Sequence, residues 1–220
     1  MTTSGAGGPA DDSASPLRRR PRRSSADRRA DVLAAARVLF AARGFHATST
    51  RELAKAADIN DALLYRYFPN KEAILAALVD EAIAAFQVLP DRRPAVDLPT
   101  ADLLELAGTA FVHIATGQLD LLTILISEHD ALAHDHRFVE FIHRAAVGLG
   151  ELLDQASQPG MQVSGYLTAR AYMGSLMAFV IVQDVLGLSR VERVDPAVYI
   201  HQLATITARG IGADAPGREG

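Results

Sequence analysis

The sequence predicts an all-α protein of about nine helices, three short ones leading and a larger helical body behind them. Apolar residues recur at helical spacing, beginning with Val32, Ala36, Leu39 and Phe40 at i, i+4, i+7 and i+8. Helix-start signals recur between these stretches, with Ser49, Asn60, Asn70 and Asp195 each standing before an apolar-periodic segment. After Pro99 no segment alternates apolar and polar residues with the period of two that a strand requires.

The first segment, Asp27 to Arg43, carries one apolar stripe and stops at Gly44, a residue that accepts a left-handed C-terminal stop. In the second, Ser49 and Glu52 stand at the spacing of a capping box, so a helix starts at about Ser49 and runs through the two alanines Ala56 and Ala57. Asp58 tolerates a left-handed turn, Ile59 plugs the angle between helices, and Asn60 caps the third segment. There Leu64 and Phe68 lie one turn apart and face inward, leaving Asp61, Ala62, Leu63, Tyr65 and Tyr67 outward or flanking. Asn70 caps a longer helix from Lys71 to about Val88, and Pro90, Pro94 and Pro99 mark a loop. Body helices are expected at about 100–116, 119–132, 135–157, 163–186 and 195–209, the last with Pro196 at its first position. The chain thus divides into a disordered basic arm at 1–25, a head at 26–71, a body at 72–210 and a disordered tail at 211–220.

A supporting helix, a tight break and a second helix with small and hydrogen-bonding outward residues are the parts of a helix-turn-helix, which lays its second helix in the major groove of DNA. At these residues the chain resembles the TetR family of bacterial transcriptional repressors. The shared pattern reads Ala35-Ala36-Arg37-Val38-Leu39-Phe40, Gly44-Phe45, Thr48-Ser49, Tyr65-Arg66-Tyr67-Phe68 and Lys71-Glu72. It covers roughly residues 28 to 80 and is specific as a set, because order and spacing are both kept. The resemblance implies a homodimer on a palindromic double-stranded DNA operator, released by a small-molecule effector held in the body. It also implies DNA contacts from Thr48, Ser49, Thr50, Arg51, Asn60, Asp61, Ala62, Leu63, Tyr65, Arg66, Tyr67 and Lys71. The chain departs from the family in having Asp58 and Ala62 where Gly is usual, and Asn60 where Ser is usual. Asp61 places a carboxylate near phosphates, which favours it only where it accepts a bond from a cytosine amine.

Composition supports the same reading. At 49% apolar and 22% charged the chain is globular, and with no cysteine it has neither disulfides nor thiolate metal sites. The first 25 residues hold no apolar stretch, so no secretory leader is expected and the cytoplasm is the expected compartment. Residues 1–71 carry 13 Lys and Arg against 7 Asp and Glu, or +6, whereas residues 72–220 carry 9 against 19, or −10. A cationic head on an acidic body orients a molecule toward a duplex. Arg18-Arg19-Arg20-Pro21-Arg22-Arg23 reads equally as an arm entering the minor groove or as a solvated tail.

In the body, the run Met173 to Leu188 is broken by Gln183 and Asp184 and is too short to cross a bilayer, so it reads as a buried or dimer-forming helix and no membrane partner is expected. Surplus apolar residues for a dimer interface are Tyr172, Met173, Leu176, Met177, Phe179, Val180, Ile181 and Val185, then Val198, Tyr199, Leu203 and Ile206. Effector-lining candidates are Phe111, His113, Ile124, Leu125, Phe138, Ile142, Tyr172, Met173 and Met177, with His113 and Tyr172 as polar handles. This lining suits a mostly hydrophobic molecule. Glu128-His129-Asp130, His134-Asp135-His136, Glu140 and His143 read either as a solvated loop or as a metal site. The metal reading supports a metal-sensing repressor or a metal-dependent helical enzyme as the alternative. A helical metal centre normally needs a second Glu-x-x-His pair, and no catalytic triad, phosphate loop or dinucleotide fingerprint is present. The expectation is therefore a regulator without cofactor, metal or enzymatic activity.

Overall fold

The computed structural model describes residues 24–87, 98–128, 130–132, 135–158, 160 and 163–213. Residues 1–23 of the arm, its arginines included, and the tail beyond 213 lie outside the described residues, whereas Ser24 and Ser25, expected to be disordered, cap and open α1. Among those described there is no strand, and the α-helices run in the order α1 (Ser25–Arg43), α2 (Thr50–Ala56), α3 (Asp61–Tyr67), α4 (Lys71–Phe86), α5 (Thr100–Thr116), α6 (Leu119–Ser127), α7 (Arg137–Ala156), α8 (Gly165–Val180) and α9 (Pro196–Gly210).

The local signals account for the head in detail. Ser49 and Glu52 form the expected capping box on α2, and the Asn60 and Asn70 side chains accept from Leu63 and Ala73 at 2.8 Å. Asp58 takes a φ of 54°, so the left-handed turn between α2 and α3 is made without glycine. α1 begins before Asp27, because Ser24 forms a second capping box in which Asp27 itself is the returning acid. Gly44 closes α1 with a φ of 85° but a ψ of 159°, swinging the chain outward from the helix axis instead of curling it into a left-handed turn.

Two apolar clusters hold the chain together. The first joins Val32, Phe40, Leu53, Leu64 and Phe68 of the head to Ile74 and Leu78 of α4, and it also takes in Leu121 and Ile124 of α6. The second joins Leu104 and Val112 of α5 to Leu153, Tyr172, Leu176 and Ile200, with Phe86 at the end of α4. Each large side chain sealed in these clusters stabilises the fold by roughly 1.5–3 kcal/mol relative to exposure. α4 and α6 contribute to both clusters and are the mechanical link between them.

α7 and α8 form a hairpin that crosses backbone to backbone. A Cβ on Gly150 would stand 2.7 Å from the Tyr166 Cα, and one on Gly165 would stand 2.2 Å from the Gly150 carbonyl oxygen. No side chain fits at this crossing.

Two body elements differ from the sequence reading. α6 stops at Ser127 instead of continuing to 132, because Glu128 turns its carboxylate back toward the head. α8 does not run on as an α-helix to 186; Ile181–Val185 forms a π-turn in which the Leu186 N–H donates to the Ile181 carbonyl at 2.8 Å. α8 with its π-turn spans 21 residues, with a mean hydropathy of 1.3 over an 18-residue window, longer than the 173–188 run suggested and enough by length to cross a bilayer. Here it packs between α7, α5 and α9 as a bundle helix.

The apolar surplus of α8 falls elsewhere than expected, whereas on α9 Val198 and Ile206 are exposed as expected. Tyr172, Leu176, Phe179 and Val180 are buried inside the chain, with Phe179 stacked on Tyr199 at 4.5 Å. The outward stripe is instead Leu167, Ala171, Gly174, Ala178 and Val182 on α8, beside Val198 and Ile206 on α9. Its small residues sit at helical spacing and leave an open, flat face.

Candidate nucleic-acid interface and effector region

The outward face of α2 and α3 presents Arg51, Asp61, Ala62, Tyr65 and Arg66, all exposed, with Asn60 and Ser49 at the two caps. Tyr65 is 51% exposed, and its hydroxyl lies 3.1 Å from the Thr50 Oγ1, so the start of α2 and the middle of α3 are tied at the surface. Leu63 and Tyr67 are half-buried behind them. Hydrogen bonds from Ser25, then from Arg66, hold the Tyr67 hydroxyl below the usual tyrosine range. Arg28 reaches across from α1 to the Asp58 carbonyl at 3.3 Å, bracing the turn.

Two of the expected DNA contacts have other work here. Thr48 is only 1% exposed and donates its hydroxyl to the Gly44 carbonyl at 2.9 Å, so it shapes the turn before α2 and does not reach the surface. Lys71 places its ammonium 4.3 Å from the Phe45 ring centroid and donates to the Phe45 and Thr48 carbonyls at 2.6 and 2.9 Å. Two of its three donors are therefore used inside the head. A Lys71→Met substitution is expected to lower the melting temperature together with operator affinity, by on the order of 1–2 kcal/mol. A salt slope reduced by about one, with no thermal loss, would instead make Lys71 purely a phosphate contact. For Tyr65→Phe the fold is expected to persist while operator binding weakens by about 1 kcal/mol. An unchanged operator affinity would remove Tyr65 from the interface.

The same turn is bonded to the body. The Phe45 backbone N–H donates to the Glu128 Oε1 at 2.8 Å in a buried contact, and Glu128 itself is buried. At the other end of α6, Arg37 of α1 donates to both Asp120 carboxylate oxygens, at 2.8 and 3.0 Å, and also to Gln118. α6 is thus tied to α1 near its start, and the residue just past its end is tied to the turn that follows α1. Sequence reading missed this arrangement and assigned Glu128 to the possible metal cluster.

The effector candidates do not form one wall. Phe111 packs on Phe86 with ring centroids 5.3 Å apart, and Phe86 and Phe138 each lie 6.4 Å from Phe141, giving an aromatic string through the body. Met173 and Met177 are half-buried beside the second cluster. Ile124 and Leu125 belong with the first cluster, whereas His113 and Ile142 are exposed, so His113 is not an interior polar handle. Tyr172 donates its hydroxyl to the Leu104 carbonyl at 2.5 Å, and burial pushes its pKa up, so it stays a neutral donor already in use. An open groove of about 530 Å³ lies between α4 and the start of α7, lined by Leu75, Leu132, Asp135, His136, Arg137 and Glu140 among others, and includes none of these candidates.

Among the described residues no group of three or more His, Asp or Glu converges as metal ligands. His129 and His134 lie outside them. Asp135 is engaged by Arg137, and the His143 Nδ1 lies 3.2 Å from the Tyr166 hydroxyl.

An exposed helix on a capped two-helix turn, mounted on a helical body, is the arrangement of a helix-turn-helix DNA-binding head. Residues 32–78 match the profile of bacterial regulatory proteins, tetR family. Over these residues the chain carries the DNA-binding segment of the TetR family. It is 30% identical over 104 residues to the HTH-type transcriptional regulator UidR of Escherichia coli strain K12, covering 46% of this chain and 50% of that protein. It is 44% identical over 66 residues to EthR of Mycolicibacterium smegmatis, covering 30% of each chain. The chain spans about half the length of the UidR relatives it matches. The fold is shared with Salmonella enterica GusR, at a TM-score of 0.61 and 22% identity over 84% of this chain and 95% of that one. It is shared also with AibR, solved with isovaleryl coenzyme A and operator DNA, at 0.62 and 22% over 81% and 97%.

Proposed function

We propose that this regulator is a ligand-responsive repressor: a homodimer that holds a palindromic operator and releases it when a small, mostly hydrophobic molecule enters the body. The head at 26–71 reads DNA and the body at 72–210 binds ligand and dimerises. It acts in the cytoplasm, with no membrane and no cofactor, and carries out no catalysis.

The observation that carries this reading is the fastening of α6 to the head. Ligand taken up beside the Phe86, Phe111 and Phe141 rings displaces α6 or the end of α4. The displacement then reaches the turn before α2 through the Glu128 bond and the Arg37–Asp120 pair. With two copies, a shift of each head changes the separation of the reading helices from the one helical turn that a palindrome demands. The fold shared with AibR, whose structure holds isovaleryl coenzyme A and operator DNA, supports a body that takes a ligand and a head that takes DNA.

The test is selection from random duplexes with the full chain, followed by sedimentation of protein alone and with the selected DNA. A two-fold symmetric site bound by two copies is expected. Sequence-independent binding, or one copy on a single half-site, would overturn it.

A further inference from the structure

The effector reading above leaves the polar chemistry of the ligand open, since Tyr172 is already bonded and His113 faces solvent. Among the described residues, one buried side-chain oxygen lacks a hydrogen bond. Gln183 is 6% exposed, and its side-chain carbonyl oxygen is sealed from solvent without a hydrogen bond from any described residue. It sits in the π-turn Ile181–Val185, which packs against both α6 and α8. Leaving such an oxygen unpaired forfeits its hydration for nothing, and native interiors rarely tolerate it unless a partner arrives. π-turns interrupting α-helices recur at functional sites, because the wider turn re-aims a side chain that regular helix would hold elsewhere.

We propose that Gln183 is the polar anchor of the effector site, and that the effector is an apolar molecule bringing one hydrogen-bond donor, a hydroxyl or a primary amide. This rests on the effector reading and narrows its ligand class. A hydroxyl both donates and accepts, so it pairs with the amide in either orientation, and a primary amide matches it with two bonds. An ester or a hydrocarbon of equal length fills the same apolar space but leaves the Gln183 oxygen unpaired. Through its contact with α6, an occupied π-turn acts on the element fastened to the head.

The probes are decan-1-ol, decanamide and methyl decanoate, titrated into the full chain and into Gln183→Leu and Gln183→Met, with melting temperatures recorded before addition. The alcohol and the amide are expected to bind the unmodified chain about tenfold more tightly than the ester. Both variants should bind all three alike and, unliganded, melt no lower than the unmodified chain. A donor preference that survives in both variants overturns the assignment of Gln183 while leaving the effector reading intact. Unliganded variants that melt lower also overturn it, since the amide would then be bonded within the fold. If none of the probes binds a chain that still binds its operator, the hydrophobic-effector reading falls and the Gln183 proposal falls with it.

Discussion

Ile206→Glu is expected to leave each chain folded and to abolish tight operator binding. Ile206 is 68% exposed on the isolated chain, so a carboxylate there meets water and costs the monomer little. In the proposed dimer the same position lies on the open stripe with Val198, Val182 and Gly174, where an unpaired charge is desolvated on association. Losing the second half-site contact removes an avidity of about 10²–10⁴, and operator affinity should fall by that factor. Sedimentation and an operator titration check the two halves, with a helical spectrum as control. A variant that remains dimeric with unchanged affinity would show that the stripe does not join the two copies.

Glu128→Ala is expected to destabilise the chain by about 1–3 kcal/mol and to weaken operator binding with it, because the buried Phe45 N–H loses its acceptor. Glu128→Gln keeps an oxygen at the same reach and should recover at least half of the loss. Phe45 belongs to the turn that sets the start of α2, so the two readouts should move together. Melting curves and operator titrations on both variants decide the matter. An alanine variant that melts like the unmodified chain and binds DNA equally would mean that the bond transmits nothing.

The head was legible because its determinants are local. Ser49 with Glu52, Asn60, Asn70 and Asp58 each act on backbone groups within three residues, and spacing alone exposes them. Ser24 was overlooked although it obeys the same rule, because the apolar stripe draws the eye to a later start. The contacts that join head to body were not legible. Glu128 and Phe45 are 83 residues apart, as are Arg37 and Asp120, and no periodicity encodes which surface acid will meet which donor. The outward face of α8 was not legible for a different reason. α8 is apolar around most of its circumference, so its pattern has no phase, and only packing against α7, α5 and α9 decides that Phe179 turns in while Val182 turns out. Gln183 was read as a break in an apolar run, when its burial depends on a π-turn that sequence does not announce.

The glycine crossing of α7 and α8 makes that hairpin a pair of scissors with its rivet near the connecting loop. With Gly150 and Gly165 in backbone contact, the two helices cannot slide or part there; they can only rotate about the crossing. Phe138 lies twelve residues from Gly150, about 18 Å along the helix, so a rotation of about 5° opens the blades by about 1.5 Å at their tips. The tips hold Phe138 and Phe141 on one blade and the Gln183 π-turn on the other, beside α6. In the proposed effector mechanism, room for a ligand is gained at the end far from the Gly150–Gly165 crossing.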